Sequence, residues 1–200
     1  TLFVFWSDHG DMIGSQGHQR KQRPWEESIR VPLLMHYPAR FGQEGKSLDC
    51  LINTPDIPPT LLHLCGLSIP PAMDGLDYAP YMQDEQEMPP AEEVLIACYH
   101  PFGEFNVPMH QGVEYRGLRT RHYTYTRTLQ GPWLLYDNEA DPYQLENLVN
   151  QPGYAAVQED LEKRLQQKLA AIGDEFLPGL EYIQRWRYPL DETGTVPILP

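Results

Sequence analysis

The chain has 200 residues and a mass of 23.1 kDa, enough for one sizeable core with a small satellite and too few for two large domains. Its 15 Lys and Arg face 28 Asp and Glu, a formal net charge of −13 that repels phosphate backbones and anionic lipid, so nucleic acid is not an expected partner. A hydrophobic share of 41% supports a packed interior, no apolar run approaches the ~20 residues of a membrane span, and 20 prolines point to loops and short elements.

Leu2-Phe3-Val4-Phe5-Trp6 opens the chain as a continuous apolar run, which reads as a strand buried on both faces inside a parallel sheet. A chain that starts on such a strand is expected to be the C-terminal part of a longer polypeptide. Ser7-Asp8-His9-Gly10 follows, then a polar, glycine-punctuated loop through Lys21. Trp25 to Arg30 forms a short helix or turn, and Val31 to Tyr37 a strand with Pro32 near its entry. A helix around Pro59 to Cys65 is stopped by Gly66. The proline- and acid-rich residues 68–92 read as a surface crossing between subdomains.

From Glu93 the texture changes. Val94 to Tyr99, Tyr115 to Thr120, His122 to Thr126 and Trp133 to Asp137 read as successive strands of an antiparallel meander, rich in Tyr and Thr. One helix follows, with Val157, Leu161, Leu165, Leu169 and Ile172 on one face, Glu159 and Lys163 paired at i,i+4, and Gly173 at its end. That stripe is expected to pack on the chain's own sheet. The tail from Asp174 to Pro200 shows little periodicity. Cys50, Cys65 and Cys98 form an odd set with no C-x-x-C spacing, which argues against a disulfide framework or a structural zinc site and leaves the compartment open.

Asp8-His9-Gly10 is the best site signal, because ligands of open α/β sheets bind beyond the carboxyl ends of strands. A carboxylate and an imidazole are common metal ligands, although Asp before Gly is also ordinary turn chemistry. The wider context decides between them. Ser7-Asp8-His9-Gly10-Asp11-Met12-Ile13-Gly14, Gly17, Lys21 and Trp25-Glu26-Glu27-Ser28-Ile29-Arg30-Val31-Pro32-Leu33 resemble a block of the sulfatase family, S-D-H/N-G-x-x-L/I-G-x-x-G-x-x-x-K followed by aromatic-E-E-x-x-R-V-P-L. Asp56-Ile57-Pro58-Pro59-Thr60-Leu61-Leu62 with Gly66 and Asp74-Gly75 is similar to a second block. Arg116 to Thr120, Leu135-Tyr136-Asp137, Asp141-Pro142 and Glu146-Asn147-Leu148 are similar to a third.

The resemblance implies an α/β fold: the C-terminal part of an alkaline-phosphatase-like core in residues 1–92, and in 93–200 a small α+β subdomain, an antiparallel four-stranded sheet with one packed helix. It makes Asp8 and His9 ligands of one divalent metal and places Lys21 on a sulfate-ester oxygen as a compact positive charge. Calcium is the expected metal; His9 stands where the family often has Asn, so manganese and zinc are alternatives. The family's nucleophile is a formylglycine made within a C/S-x-P/A-x-R motif. No such motif occurs in these residues, so the nucleophile is expected in a preceding part of the protein and the segment alone is expected to be inactive.

His100, after a strand of the subdomain, is a candidate substrate contact. Arg116, Arg119 and Arg121 are candidates for an anionic substrate, against the more usual role of charges on an exposed strand face. His18 reads as an exposed loop histidine, and Trp186 with its neighbours as core closure, against a role in capping a pocket or forming an interface. The expected partner is a sulfated small molecule or carbohydrate, and export is expected by the same resemblance. Two other readings stay open: a phosphonate monoester or phosphodiester hydrolase on the same scaffold, and a non-catalytic carbohydrate-binding fragment.

Overall fold

The structure, a computed structural model, describes residues 1–101 and 112–192. In chain order its elements are β1 (Phe3–Trp6), α1 (Glu26–Ile29), β2 (Leu33–His36), α2 (Pro38–Phe41), α3 (Ile57–Leu64), α4 (Ala79–Met82), β3 (Glu93–Cys98), β4 (Tyr115–Thr120), β5 (Tyr123–Thr128), β6 (Gly131–Asp137), α5 (Ala155–Ile172) and α6 (Gly179–Trp186). They form two compact units that are not contiguous in sequence. One contains Thr1–Asp8 and Val31–Val94, the other His9–Arg30 and Leu95–Pro200. The second unit therefore takes in a segment that a linear division near residue 92 assigns to the first.

In the first unit β1 and β2 pair antiparallel as a two-stranded sheet, with Phe5 opposite Leu34. The pairing observed is antiparallel where a parallel one is expected, and in this chain Phe5 is 62% exposed, with Phe3 and Leu34 sharing its exposure. On the other face Leu2 and Met35 pack on a cluster of Leu64, Tyr78, Ala79 and Met82. Residues 68–92 are likewise more than a surface crossing, because Tyr78 and Ala79 are fully buried.

Polar contacts fix that packing. Asp56 closes a capping box with Asn53 and accepts the Leu76 N–H at 2.8 Å. Thr60 links the Asp56 carbonyl, 2.7 Å away, to the Tyr78 N–H at 3.0 Å. Gly75 has a φ of 97° and lies so close to the Pro55 carbonyl that a Cβ has no room. The Asp-Ile-Pro-Pro-Thr and Asp-Gly blocks are thus one interlocked turn and helix.

The second unit is built on a sheet of order β3-β4-β5-β6, with β4 and β6 antiparallel to β5 and a bulge at Thr126/Arg127. One face, through Leu118, Tyr125 and Leu135, packs on Leu161, Leu165 and Leu169 of α5. The opposite face presents Leu134 and Tyr136 to Met12 and Trp25 of segment 9–30. Both faces are therefore covered, which explains why most of β4 and β5 is buried despite their polar sequences.

Two expectations shift in this unit. The i,i+4 pair that forms on α5 is Asp160–Arg164 at 3.1 Å, one position along from the expected one. The tail contains α6, whose Tyr182 and Ile183 are buried; residues 193–200 lie outside the described residues. Among the described residues, no helix is long and apolar enough to cross a membrane.

Candidate functional site

The loop after β1 begins with an exposed Asp8 at the end of a first-unit segment and continues with a half-buried His9, the first residue of the second unit. The Gly10 N–H donates to the Ser28 carbonyl at 2.8 Å, and a Cβ on Gly10 would overlap the Glu27 carbonyl. Glycine is what lets the chain run this close to α1. His9 Nδ1 lies 2.7 Å from the Gly10 carbonyl oxygen. A carbonyl only accepts, so Nδ1 carries the proton and Nε2 is the basic nitrogen, the tautomer in which an imidazole binds a metal through Nε2. Donor type and tautomer at His9 therefore fit a divalent cation. Among the described residues no group of three or more His, Cys, Asp or Glu gathers to hold one, so Asp8 and His9 are at most part of a ligand set.

Lys21 is presented by a tightly folded loop. Asp11 Oδ1 accepts the Ile13 N–H at 3.0 Å and the Arg20 N–H at 3.1 Å, while the Met12 N–H donates to the Arg20 carbonyl at 2.8 Å. Residue 20 is thereby brought back beside residue 12, and Lys21 follows at once. Arg20 and Gln22, on either side of Lys21, have φ of 67° and 66°, and Ile13 and Gln16 are also left-handed. Non-glycine residues in that region cost of order 1–3 kcal/mol each and persist only where the surroundings impose them. Here the surroundings are the buried Met12, the Asp11 carboxylate and Gln16, whose amide donates to the Gln144 carbonyl at 3.0 Å.

The same segment is fastened at α1. Trp25 Nε1 donates to the Tyr136 hydroxyl at 3.1 Å, the Glu26 N–H to Gln144 Oε1 at 3.0 Å, and Arg119 Nε to Glu26 Oε1 at 2.7 Å. Arg119 is therefore a clamp on the Trp-Glu-Glu block. Arg116 is fully buried in an ion pair with Asp174, and neither the exposed-face nor the substrate role read for it applies.

His18 is half-buried, its ring centroid 5.2 Å from that of Trp25, which corrects the exposed-loop reading. Burial, and then the positive charge of Arg23, lower its pKa and favour the neutral ring. His100 is 7% exposed and lies against Gly179, where a Cβ would press on its Nδ1. Burial lowers its pKa and Glu114 opposes the shift. Most of its surface is thus taken up by packing at the start of α6. Sequence reasoning missed the buried Gln144 and Asp174, which have no periodic or motif signal and acquire their roles from contacts far along the chain.

Solved structures with the same arrangement are hydrolases of the alkaline-phosphatase-like fold. A protein in complex with its substrate D-glucosamine-2-N,6-O-disulfate superposes with a TM-score of 0.73 at 25% identity, over 90% of this chain and 36% of that one. The phosphonate monoester hydrolase of Agrobacterium radiobacter superposes at 0.68 with 25% identity, over 100% of this chain and 39% of that one. In sequence, the family described as N-sulphoglucosamine sulphohydrolase, C-terminal, matches residues 14–171. The ulvan-active sulfatase of Formosa agariphila is 41% identical over 193 residues, 94% of this chain. The chain belongs to the sulfatase family and corresponds to its C-terminal portion. It spans 36% of that relative's length.

Proposed function

We propose that this chain is the C-terminal part of a sulfatase, a sulfuric-ester hydrolase acting on a sulfated carbohydrate or small molecule. The observation that supports it most is the folded-back loop, which sets Lys21 directly after the residue bonded to Met12, three positions beyond His9. In this reading Asp8 and His9 hold one divalent cation, calcium by expectation. The bound cation would supply Lewis-acid polarisation of the ester, and the formylglycine expected outside this segment its nucleophile.

The chain's own residues do the rest. The Gly10 carbonyl holds the His9 ring in one tautomer and direction. The left-handed backbone at Arg20 and Gln22 sets where the Lys21 side chain leaves the loop, and its charge stabilises the leaving oxygen as negative charge develops on it. His100 completes the reading as a candidate substrate contact through the 7% of its surface left exposed. The whole protein is exported in this reading, and the segment alone turns over nothing.

The ulvan-active sulfatase and the disulfated glucosamine complex favour a sulfated sugar as substrate. A second reading, phosphonate monoester hydrolysis, is favoured by the fit to the Agrobacterium enzyme. The test is kcat/KM of the full-length polypeptide on an aryl sulfate and on an aryl phosphonate monoester. A preference for sulfate, with Lys21→Ala lowering kcat by roughly 10²–10³ while metal content is unchanged, is expected. A preference for the phosphonate would replace sulfatase with the second reading.

A further inference from the structure

The end of α6 carries a group of aromatic rings that the site does not use. Tyr182 is buried and touches Tyr99 edge to face, with ring centroids 5.4 Å apart. Trp186, one helical turn on, leans on Tyr182 at 5.2 Å and 31°, and Tyr188 meets Trp186 edge-on at 6.3 Å. Trp186 nevertheless stays 55% exposed, Tyr188 50% and Tyr99 36%. Arg116, buried beneath, lies 3.7 Å from the Tyr99 ring centroid and is pinned by Asp174, so the floor of the group is rigid.

Two cations flank Trp186 in sequence. Arg185 is held by Glu175 at 2.8 Å, whereas the exposed side chain of Arg187 makes no ion pair among the described residues. Arg187 itself adopts a left-handed turn, φ 57°, that ends the helix, and its N–H donates to the Gln184 carbonyl. In a chain of net charge −13, an exposed guanidinium with no ion-pair partner among the described residues thus sits beside an exposed indole.

We propose that Trp186, Arg187 and Tyr188 form a binding platform for a sulfated saccharide unit. The electron-rich indole face suits the C–H face of a pyranose, and its restraint by Tyr182 removes most of the ordering cost of stacking. The guanidinium supplies two parallel N–H donors to a sulfate group, which a neutral sugar cannot use. An anionic ligand is the one that complements Arg187, and the aromatic rings select a sugar over a bare anion. The inference rests on the sulfatase reading and deepens it by naming how a sulfated chain is held.

The test uses the full-length polypeptide in affinity electrophoresis through gels containing dextran sulfate or unsulfated dextran. An aryl-sulfate assay on the same preparation checks the sulfatase reading separately. Trp186→Ala is expected to weaken retention by dextran sulfate roughly two- to tenfold. Arg187→Gln is expected to weaken it by up to about fivefold, with no change on dextran. Leu180→Ala, an exposed residue in the first turn of α6, serves as the control and keeps wild-type retention.

Arg187→Gln alters only an exposed side chain and keeps the test informative if Trp186→Ala fails to fold. Wild-type retention in both variants would overturn the platform, as would a Trp186→Ala change confined to melting temperature or oligomeric state, which would mean that protein covers the ring. Aryl-sulfate turnover persisting in either case would leave the sulfatase reading intact. Absence of turnover in the wild type would instead remove that reading.

Discussion

Arg116 shows how far a residue's role departs from its neighbours in sequence. Its Nε donates to Asp174 Oδ2 at 2.5 Å, and its Nη1 donates to the carbonyls of Cys98 and Tyr115 at 3.1 and 3.0 Å. The guanidinium is fully desolvated, so its free energy depends on every one of these partners. Burial pushes the Asp174 carboxyl upward, but hydrogen bonds from Arg116, Tyr182 and the Phe176 N–H outweigh it and lower the pKa from 3.8 to about 2. A carboxylate with a depressed pKa contributes stability that is fully present above its ordinary value and is lost as pH falls from 3.8 toward 2. The shift corresponds to roughly 2 kcal/mol. Urea midpoints measured across that window should fall for the wild type and fall less for Asp174→Asn, which is less stable at neutral pH by about 3–5 kcal/mol. Equal acid slopes would show that the pair does not carry this linkage.

At the scale of elements, α5 was the most legible part of the chain. Eighteen residues with Leu161, Leu165 and Leu169 at four-residue spacing admit only one buried stripe, and it packs on Leu118, Tyr125 and Leu135 as expected, although Ile172, read on the same stripe, is exposed at the helix end. Leu165 is fully buried there, and Leu165→Ala should lower the unfolding free energy by about 2–5 kcal/mol. Urea denaturation monitored by circular dichroism would measure it, and a loss below about 0.5 kcal/mol would contradict the packing. The meander was legible for a related reason, since β-branched and aromatic alternation marks strands even when their faces are unknown. What alternation does not reveal is whether a strand's second face is covered, so Arg116 reads as a charge on an exposed strand face and is buried. Eight-residue α6 escaped notice because two turns give too few repeats to separate Tyr182, Ile183 and Trp186 from an aromatic loop. At the candidate site, Asp8 and His9 are read from the turn after the first strand and from the motif they share with Lys21, and Lys21 from that motif alone. The left-handed residues around Lys21 were not, because Arg, Gln and Ile carry no propensity for that conformation.

For the molecule as a whole, the non-contiguous units change what counts as a self-sufficient piece. Segment 9–30 does more than carry the site loop, because Met12 and Trp25 are part of the core on the second face of the four-stranded sheet. The Glu26–Arg119 ion pair and the Gln144 bonds at Gln16 and Glu26 tie its backbone to the strands and to the loop after β6. Residues separated by more than a hundred positions thus act as one folding unit, and the family's blocks meet each other in it. A polypeptide of residues 93–200 alone would bare Trp133, Leu134 and Tyr136, an apolar surface that a small domain does not tolerate well. Such a fragment is expected to bind a hydrophobic dye and to melt without a sharp transition. Adding a peptide of residues 9–30 in trans should restore a cooperative transition and suppress the dye signal, and a peptide with Trp25→Ala should do so at severalfold higher concentration, in line with the large loss on truncating a buried Trp. A sharp melt of 93–200 without the peptide would mean that α5 and the sheet suffice, and that segment 9–30 is held by the subdomain without helping to hold it together.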